Sequence, residues 1–507
     1  MSNEDDKKAG LVPSQSVALL RTGVTSLVRR GAQDLLARTE ADEWHRRGRS
    51  LWEKAKAYPE DADIAAVRKA REEAAECFRR GLLLDPNHTG LQFSLGLACY
   101  VDEKPKGDYT EAVLWFRKAA EQGYARAQNA LSELFHSGKG VPQDYAEAVV
   151  WSRKAAEQGY ATAEHNLGVA YKEGQGVQQD YVQAVMWYRK AAERAYAPAQ
   201  YELGRMYANG WGVPQDVAQA ATWCRKAAEQ GDADAQYELG CLYHSGEYVP
   251  QDDAKAVFWW RKAAEQGHAD AECNLGHAYF NGTSVPQDYA QAAIWWRKAA
   301  EQGDAGAQNL MGWSYHSGEG VPQDDAEAVI WWRKAADQGD AEAQFRIGRE
   351  YLGGWTLPED HAVGVKWCRK AAEQGHVSAQ SLLGNVYFYG WAVQQDYAEA
   401  VFWYRKAAEQ GDKYSQRLLG QMYAGGQGVL QNYAEAVSWY RKAAEQGDAE
   451  AQCCLAIAYE EGNGVPQDFT QAGAWYRKAA EQGYNVAKRA LDDMLRKVKG
   501  IEHEGTR

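Results

Sequence analysis

The chain has little of what a disulfide-built, membrane-spanning or catalytic protein needs. Eight cysteines are spread over 507 residues. Cys224 shares a register with Cys368, and Cys273 with Cys453, but no recurring pair exists to build a disulfide framework. That usage points to a reducing compartment and an expected cytoplasmic location. Long apolar runs are missing too: the first, Val17 to Leu20, stops at Arg21, far short of the roughly 18–20 residues of a membrane span. The start, Met1-Ser-Asn-Glu-Asp-Asp6, is not that of a basic signal peptide. Basic charge is not in excess, since the net charge is −13, which argues against a general nucleic-acid or acidic-membrane binder. No His-Glu-x-x-His, nucleophile elbow, phosphate loop or zinc-ribbon spacing occurs. No cofactor and no small-molecule substrate are expected.

What the chain does have is a period. Tryptophan recurs at Trp115, Trp151, Trp187, Trp223, Trp259, Trp295, Trp331, Trp367, Trp403, Trp439 and Trp475, a step of 36 residues. Such a period around helical sequence marks stacked helix pairs with one core that grows by addition. In Tyr124 to Gly159 a first helix, about Ala125 to Ser137, carries Ala127, Leu131 and Phe135 at four-residue spacing. Gly138-Lys-Gly140-Val-Pro142 breaks it. Asp144 then caps a second helix, with Glu147 placed for a capping box, and Gly159 supplies a left-handed stop.

The repeated residues resemble the Sel-one-like repeat family, a relative of the tetratricopeptide repeats. The motif is Ala-x-Ala-Gln-x-x-Leu-Gly-x-x-Tyr-x-x-Gly-x-Gly-Val-Pro-Gln-Asp-Tyr-x-x-Ala-x-x-Trp-Tyr-Arg-Lys-Ala-Ala-Glu-Gln-Gly, and it covers residues 88–483 in eleven repeats. The resemblance implies an all-α fold, an αα-hairpin solenoid wound as a right-handed superhelix, with first helices lining a concave surface. It also implies a scaffold or adaptor role with protein or peptide partners. Before the array, residues 41–87 resemble a divergent tetratricopeptide repeat through Trp44, Gly48, Ala74, Phe78, Gly81 and Pro86, with a longer connection around Tyr58-Pro-Glu-Asp61. Residues 13–40 are expected to form an amphipathic capping helix, with a partner-binding or membrane-surface helix as the alternative. Residues 1–12 are expected to be a disordered tail and 484–507 a capping helix and tail.

Comparing copies within the chain separates frame from freedom. The position after the conserved leucine is glycine in most repeats, with Ser132 and Ala456 as small exceptions, and Ala148 has only Gly364 as an unlike equivalent. Both positions suit close helix approach. The tryptophans are expected to be buried anchors between repeats rather than a cation–π or base-stacking array. Arg153-Lys154 and its equivalents, near second-helix C-termini, are expected to complement helix dipoles and bridge neighbours. Glu193-Arg-Ala195 replaces the usual Glu-Gln-Gly, which predicts a distorted junction there.

Three positions per first helix vary freely and share one face. Their middle stretch collects Tyr201, Arg205, Tyr237, His277, Phe280, Trp313, Phe345, Arg349 and Phe388, residue types that dominate binding hot spots. A partner-binding groove is the reading these residues support. Two rivals remain at this stage: a hydrolase using His244, His277 or His316, and a rod acting through its ends. Cys241, His244, Cys273 and His277 would also suit zinc if they converged.

Overall fold

The computed structural model describes residues 14–57, 64–101, 109–354, 356–391 and 393–504, with side chains described for 32–57, 65–100, 109–354, 356–391 and 393–496. The expected tail 1–12 and the connection around residues 58–61 lie outside them. Every regular element among the described residues is an α-helix, and the array is a solenoid of paired helices. It forms two compact units that meet at Pro250 and Gln251, and each is taken by itself.

One repeat shows how the pair is built. The first helix, Ala125–Ser137, ends on Gly138 at φ 69°, and the second runs Tyr145–Ala156. Between them Asp144 Oδ1 accepts from the backbone N–H of Ala146 at 2.9 Å and of Glu147 at 3.0 Å. This satisfies donors that a helix start leaves open. The capping box is incomplete, because the Asp144 N–H donates to Phe135 O at 2.9 Å. That bond ties the second helix to the first. Gln143 of Val-Pro-Gln-Asp adds another tie, its Nε2 donating to His136 O at 2.8 Å. The same pair of bonds recurs at Gln179-Asp180 and Gln287-Asp288. Loop sequence is thus conserved between copies because it clamps the hairpin.

Successive pairs are joined by two further devices. Arg153 Nη2 donates to the Tyr171 hydroxyl of the next first helix at 2.7 Å, and Arg189–Tyr207, Arg297–Tyr315 and Arg333–Tyr351 repeat the bond. The expected bridging role of the arginines therefore holds. The second device is a buried glutamine. Gln128 donates to Ala120 O at 3.0 Å and accepts from Gln158 Nε2 at 2.8 Å. Gln200, Gln308, Gln344, Gln416 and Gln452 do the same.

The tryptophan ladder needs a correction. Trp187, Trp331 and Trp403 are buried, but the other eight are only partly covered. The deep anchor is the following residue: Phe116, Tyr188, Trp260, Trp296, Trp332, Tyr404, Tyr440 and Tyr476 are nearly sealed from solvent. The ladder rings instead carry a lysine three residues on, as Lys154 lies 3.8 Å from the Trp151 centroid and Lys298 4.0 Å from that of Trp295. One helical turn brings the ammonium over the ring, so a cation–π ladder does exist, within each helix.

The anchors also explain the glycines. A Cβ on Gly312 would sit 2.4 Å from the Trp332 ring, and one on Gly384 2.4 Å from Tyr404. Where the facing residue shrinks, glycine is not needed: Ser132 meets Ser152 with Oγ atoms 2.6 Å apart. Gly364, the lone break in the alanine row, faces Leu352, whose Cγ would lie 2.7 Å from an added Cβ.

At the N-terminus one uninterrupted helix, Ser14–Lys56, replaces the expected cap and separate repeat helix. Leu35, placed on the expected packing face, is 67% exposed and Leu36 63%, so this described stretch covers no repeat face. Side chains at 14–31 lie outside the described set. A Cβ on Gly48 would sit 2.5 Å from the Phe78 ring, the same pairing as in the array. At the other end Asn485–Glu504 buries Ala487 and Met494 against Tyr476 and Ala479.

The junction at Glu193-Arg-Ala195 is not distorted. Ala195 adopts φ 58°, beside 97° at Gly231 and 83° at Gly267. Ala195 N donates to Ala192 O and Tyr196 N to Ala191 O, matching the bonds of Gly231 and Asp232. Neighbouring interactions override the penalty that Cβ pays in this region. Arg194 stands where glutamine is usual because its partner changed as well: the buried Glu164 replaces glutamine, and Arg194 Nε lies 3.2 Å from its Oε2. Pro198 falls in the first turn of the next helix, where no backbone donor is lost.

Three outcomes follow from this frame. Trp296→Ala should cost about 3–5 kcal/mol, and Trp295→Ala only about 1–2 kcal/mol; chemical denaturation that ranks them the other way would refute the reassigned anchor. Ala195→Gly should raise stability by about 1 kcal/mol, seen as a later melt of the unit that contains it. The third concerns His45, whose Nε2 pairs with Ser94 Oγ at 3.0 Å. Burial, then the charges of His88 and Arg49, lower its pKa from 6.5 to about 4 against a smaller opposing effect of Asp42. The unfolded chain then binds the extra proton first, so this contribution is complete above pH 6.5 and drains away down to about pH 4. Hydrogen-exchange protection factors around Phe78 and Leu95 should fall as pH drops across that window, and His45→Gln should flatten the profile.

Candidate partner-binding stripe

The variable positions lie where the core makes no demand. On the helix Ala341–Gly353 the core takes Ala343, Ile347 and Gly348, all buried. Phe345 and Leu352 are half-buried on the adjoining face and Arg349 is exposed. The same offsets recur on every first helix, so one stripe of each is free to differ.

In the unit up to Pro250, Tyr201 and Tyr237 are half-buried. Arg205 lies 5.8 Å from the Tyr201 ring and pairs with Glu202 at 3.3 Å. Burial raises the Tyr201 hydroxyl above its ordinary range, so it acts as a neutral group.

The unit from Gln251 onward gathers the other candidates. The Phe280 and Trp313 rings meet edge to face at 5.4 Å, and the His277 ring sits 5.4 Å from Trp296. These three border an open pocket of about 330 Å³ with Leu310, Glu342 and Arg346. A second pocket of about 550 Å³ is lined by Phe345, Arg349, Leu352, Leu382, Val386 and Trp391. Phe388 borders neither and packs on Tyr397 at 5.5 Å. Phe280 is less free than the sequence suggests, since it also packs on the core residue Trp296 at 5.5 Å. Leu310, Leu382 and Trp391 were not among the sequence candidates. Trp391 had a legible signal: its register holds tryptophan again at Trp211 and Trp355, against Gln175, Glu247, Thr283, Glu319, Gln427 and Asn463.

Cys273 Sγ approaches His277 Nδ1 at 3.8 Å, but burial pushes this thiol up to about 12, which denies it thiolate character. The His277 Nδ1 also faces Cys273 O at 2.9 Å, and His316 Nδ1 pairs with Asp325 at 2.7 Å. Among the described residues no group of three or more His, Cys, Asp or Glu side chains could hold a metal ion; of the four residues considered from spacing, Cys241 and His244 belong to the unit up to Pro250 and Cys273 and His277 to the unit from Gln251 onward. None of the eight cysteines forms a disulfide. No helix among the described residues is long and apolar enough to cross a membrane.

Helix pairs clamped by repeated side-chain bonds, with one variable stripe, define an α-solenoid repeat protein. The Sel1 repeat model matches residues 91–124, 125–160, 161–196, 197–232, 233–268, 269–304, 305–340, 341–376, 377–412, 413–448 and 449–484, and the chain belongs to the Sel1 repeat family. It is similar to c5321, a protective antigen of uropathogenic Escherichia coli with an SLR fold, at 36% identity and a TM-score of 0.72. That alignment covers 83% of this chain and 90% of the other. A Sel1 repeat protein of Oxalobacter formigenes is 35% identical over 61% of this chain and 89% of its own, with a TM-score of 0.46. None of the proteins of curated function matches the chain.

Proposed function

We propose that this Sel1 repeat protein is a non-catalytic scaffold that holds a protein segment against the variable stripe of its first helices. One observation carries the reading. Trp313, Phe345 and Arg349 occupy positions that the frame leaves free, yet they border two open, largely apolar pockets in the unit from Gln251 onward. Apolar surface of that kind costs solubility and is typical of binding sites. Tyr201, Arg205 and Tyr237 offer a comparable surface within the other unit. The repeat frame supports the same role, because it presents side chains at fixed spacing while its own stability rests elsewhere.

The test uses Trp313→Ala alone, because Phe280 also serves the core. Affinity capture followed by mass spectrometry of the wild type defines the partner, and titration then compares the variants. Trp313→Ala should weaken that partner by about 2 kcal/mol with an unchanged melt, while Lys298→Ala on a second helix should leave binding intact. Full binding by Trp313→Ala would remove the stripe as the site. Equal loss from both would indicate nonspecific adhesion.

A further inference from the structure

The 550 Å³ pocket has a counterpart in the other unit, and the contrast between the two is informative. A pocket of about 390 Å³ is lined by Glu133, His136, Asn166 and Gln175, among others. These are the residues 216 positions, or six repeats of 36, before Arg349, Leu352, Leu382 and Trp391. Ser137, Tyr145 and Ala170 there likewise correspond to Gly353, His361 and Val386. The pocket is therefore a property of the repeat, and its lining belongs to the individual copy. In the earlier copy it is polar, and His136 Nε2 reaches Gln175 Oε1 across it at 3.0 Å. In the later copy Leu352, Leu382 and Trp391 stand in place of His136, Asn166 and Gln175, and Arg349 in place of the acid Glu133.

We propose that the later pocket is an anchor site for a bulky apolar side chain of a bound polypeptide that carries an acidic residue beside it. This deepens the scaffold reading and rests on it. Phe345, Leu352, Leu382 and Val386 supply the apolar walls. Trp391, 55% exposed and stacked on Tyr389 at 4.8 Å, stands at the rim. Leucine at 352 fits because Gly364 offers no Cβ against it. Arg349 is the charged lining group, in a chain of net charge −13, and His361 also lines the pocket. His361 pairs with Glu359, while the Arg349 guanidinium lies 5.8 Å from the Phe345 ring at the exposed edge. An aliphatic or aromatic residue fills such a volume, and a carboxylate one or two residues away meets the arginine. A segment of a polypeptide supplies both at fixed spacing.

The experiment selects from a displayed library of random 12-residue peptides against the full chain, then measures synthetic peptides by fluorescence anisotropy. Enriched sequences should share Leu, Phe or Trp with Asp or Glu within two positions. The blocking variant takes its residues from the polar copy: Leu352→His, Leu382→Asn and Trp391→Gln together, a lining this fold already carries. It should weaken binding at least 30-fold with an unchanged melt. Arg349→Glu should weaken acidic peptides at least tenfold and be rescued when the peptide acid is replaced by lysine, a readout that stands even if the triple variant unfolds. Peptides that bind the triple variant as well as wild type, yet are lost with Trp313→Ala, overturn the pocket and leave the scaffold reading standing. Peptides indifferent to all these changes, or no enrichment, overturn both.

Discussion

A buried amide holds this array in register. The glutamine at 128, 200, 308 and their equivalents is almost wholly removed from water, and an unsatisfied amide there would cost about 1–3 kcal/mol. It escapes that cost only because its Nε2 finds a carbonyl at the end of the preceding repeat and its Oε1 finds a glutamine at the end of its own. Each repeat thus completes a polar circuit that no single helix pair can close. Stacking becomes specific, since a slip of one helical turn would strand the amide. The greasy faces of Ala, Leu and aromatic residues drive association, but they tolerate sliding far better than a buried hydrogen-bond pair does.

Where the circuit changes, the partner changes with it at Glu164 but not at Glu272. Glu164 cannot accept from a glutamine and donate to a carbonyl in the same way, and Arg194 stands opposite it. Glu272 keeps glutamine as its partner, with Gln302 Nε2 2.7 Å from its Oε2. Burial raises the Glu272 carboxyl while that bond opposes the rise. Size follows the same logic at Ser132 with Ser152 and at Gly364 with Leu352. The lone alanine in a left-handed stop, Ala195, has no such local partner exchange. It is held by the hydrogen bonds of the junction around it.

The helix pairs were legible because periodicity, capping residues and glycine stops are local signals that agree with one another. The helix Ala125–Ser137 and the cap at Asp144 could be read from neighbours a few residues away. The bridging arginines and the close-approach positions were legible as well, but the particular partner that each buried side chain takes from another helix was not. The tryptophan ladder marked the period so strongly that the next position, filled by Phe, Tyr, Trp, Ser or Cys, looked merely variable. Yet that variable residue is the one facing the glycine of the first helix. The glycine stays whether that residue is Phe, Tyr, Trp or Cys, and only Ser132 with Ser152 changes together. The polar circuit of the buried glutamine likewise depends on residues of two repeats. At the stripe, sequence comparison found Trp313, Phe345 and Arg349 but missed Leu310 and Leu382, which stand on first helices beside the rows that were compared.

Frame and stripe are therefore separated by chemistry as well as by position. Every frame role is satisfied by backbone, amide, guanidinium–phenol or ring contacts that recur with the period. A substitution on the stripe leaves these bonds in place, so a repeat can exchange a polar pocket for an apolar one without renegotiating its neighbours. The two copies six repeats apart show both outcomes on one chain: Glu133 and His136 in the first, Arg349 and Leu352 in the second. A globular core rarely permits a charge reversal and a His-to-Leu exchange at matched positions, because the same atoms carry both stability and recognition. Here the frame and the variable stripe fall on different faces of the same thirteen-residue helix, so stripe side chains vary from repeat to repeat while the frame contacts recur.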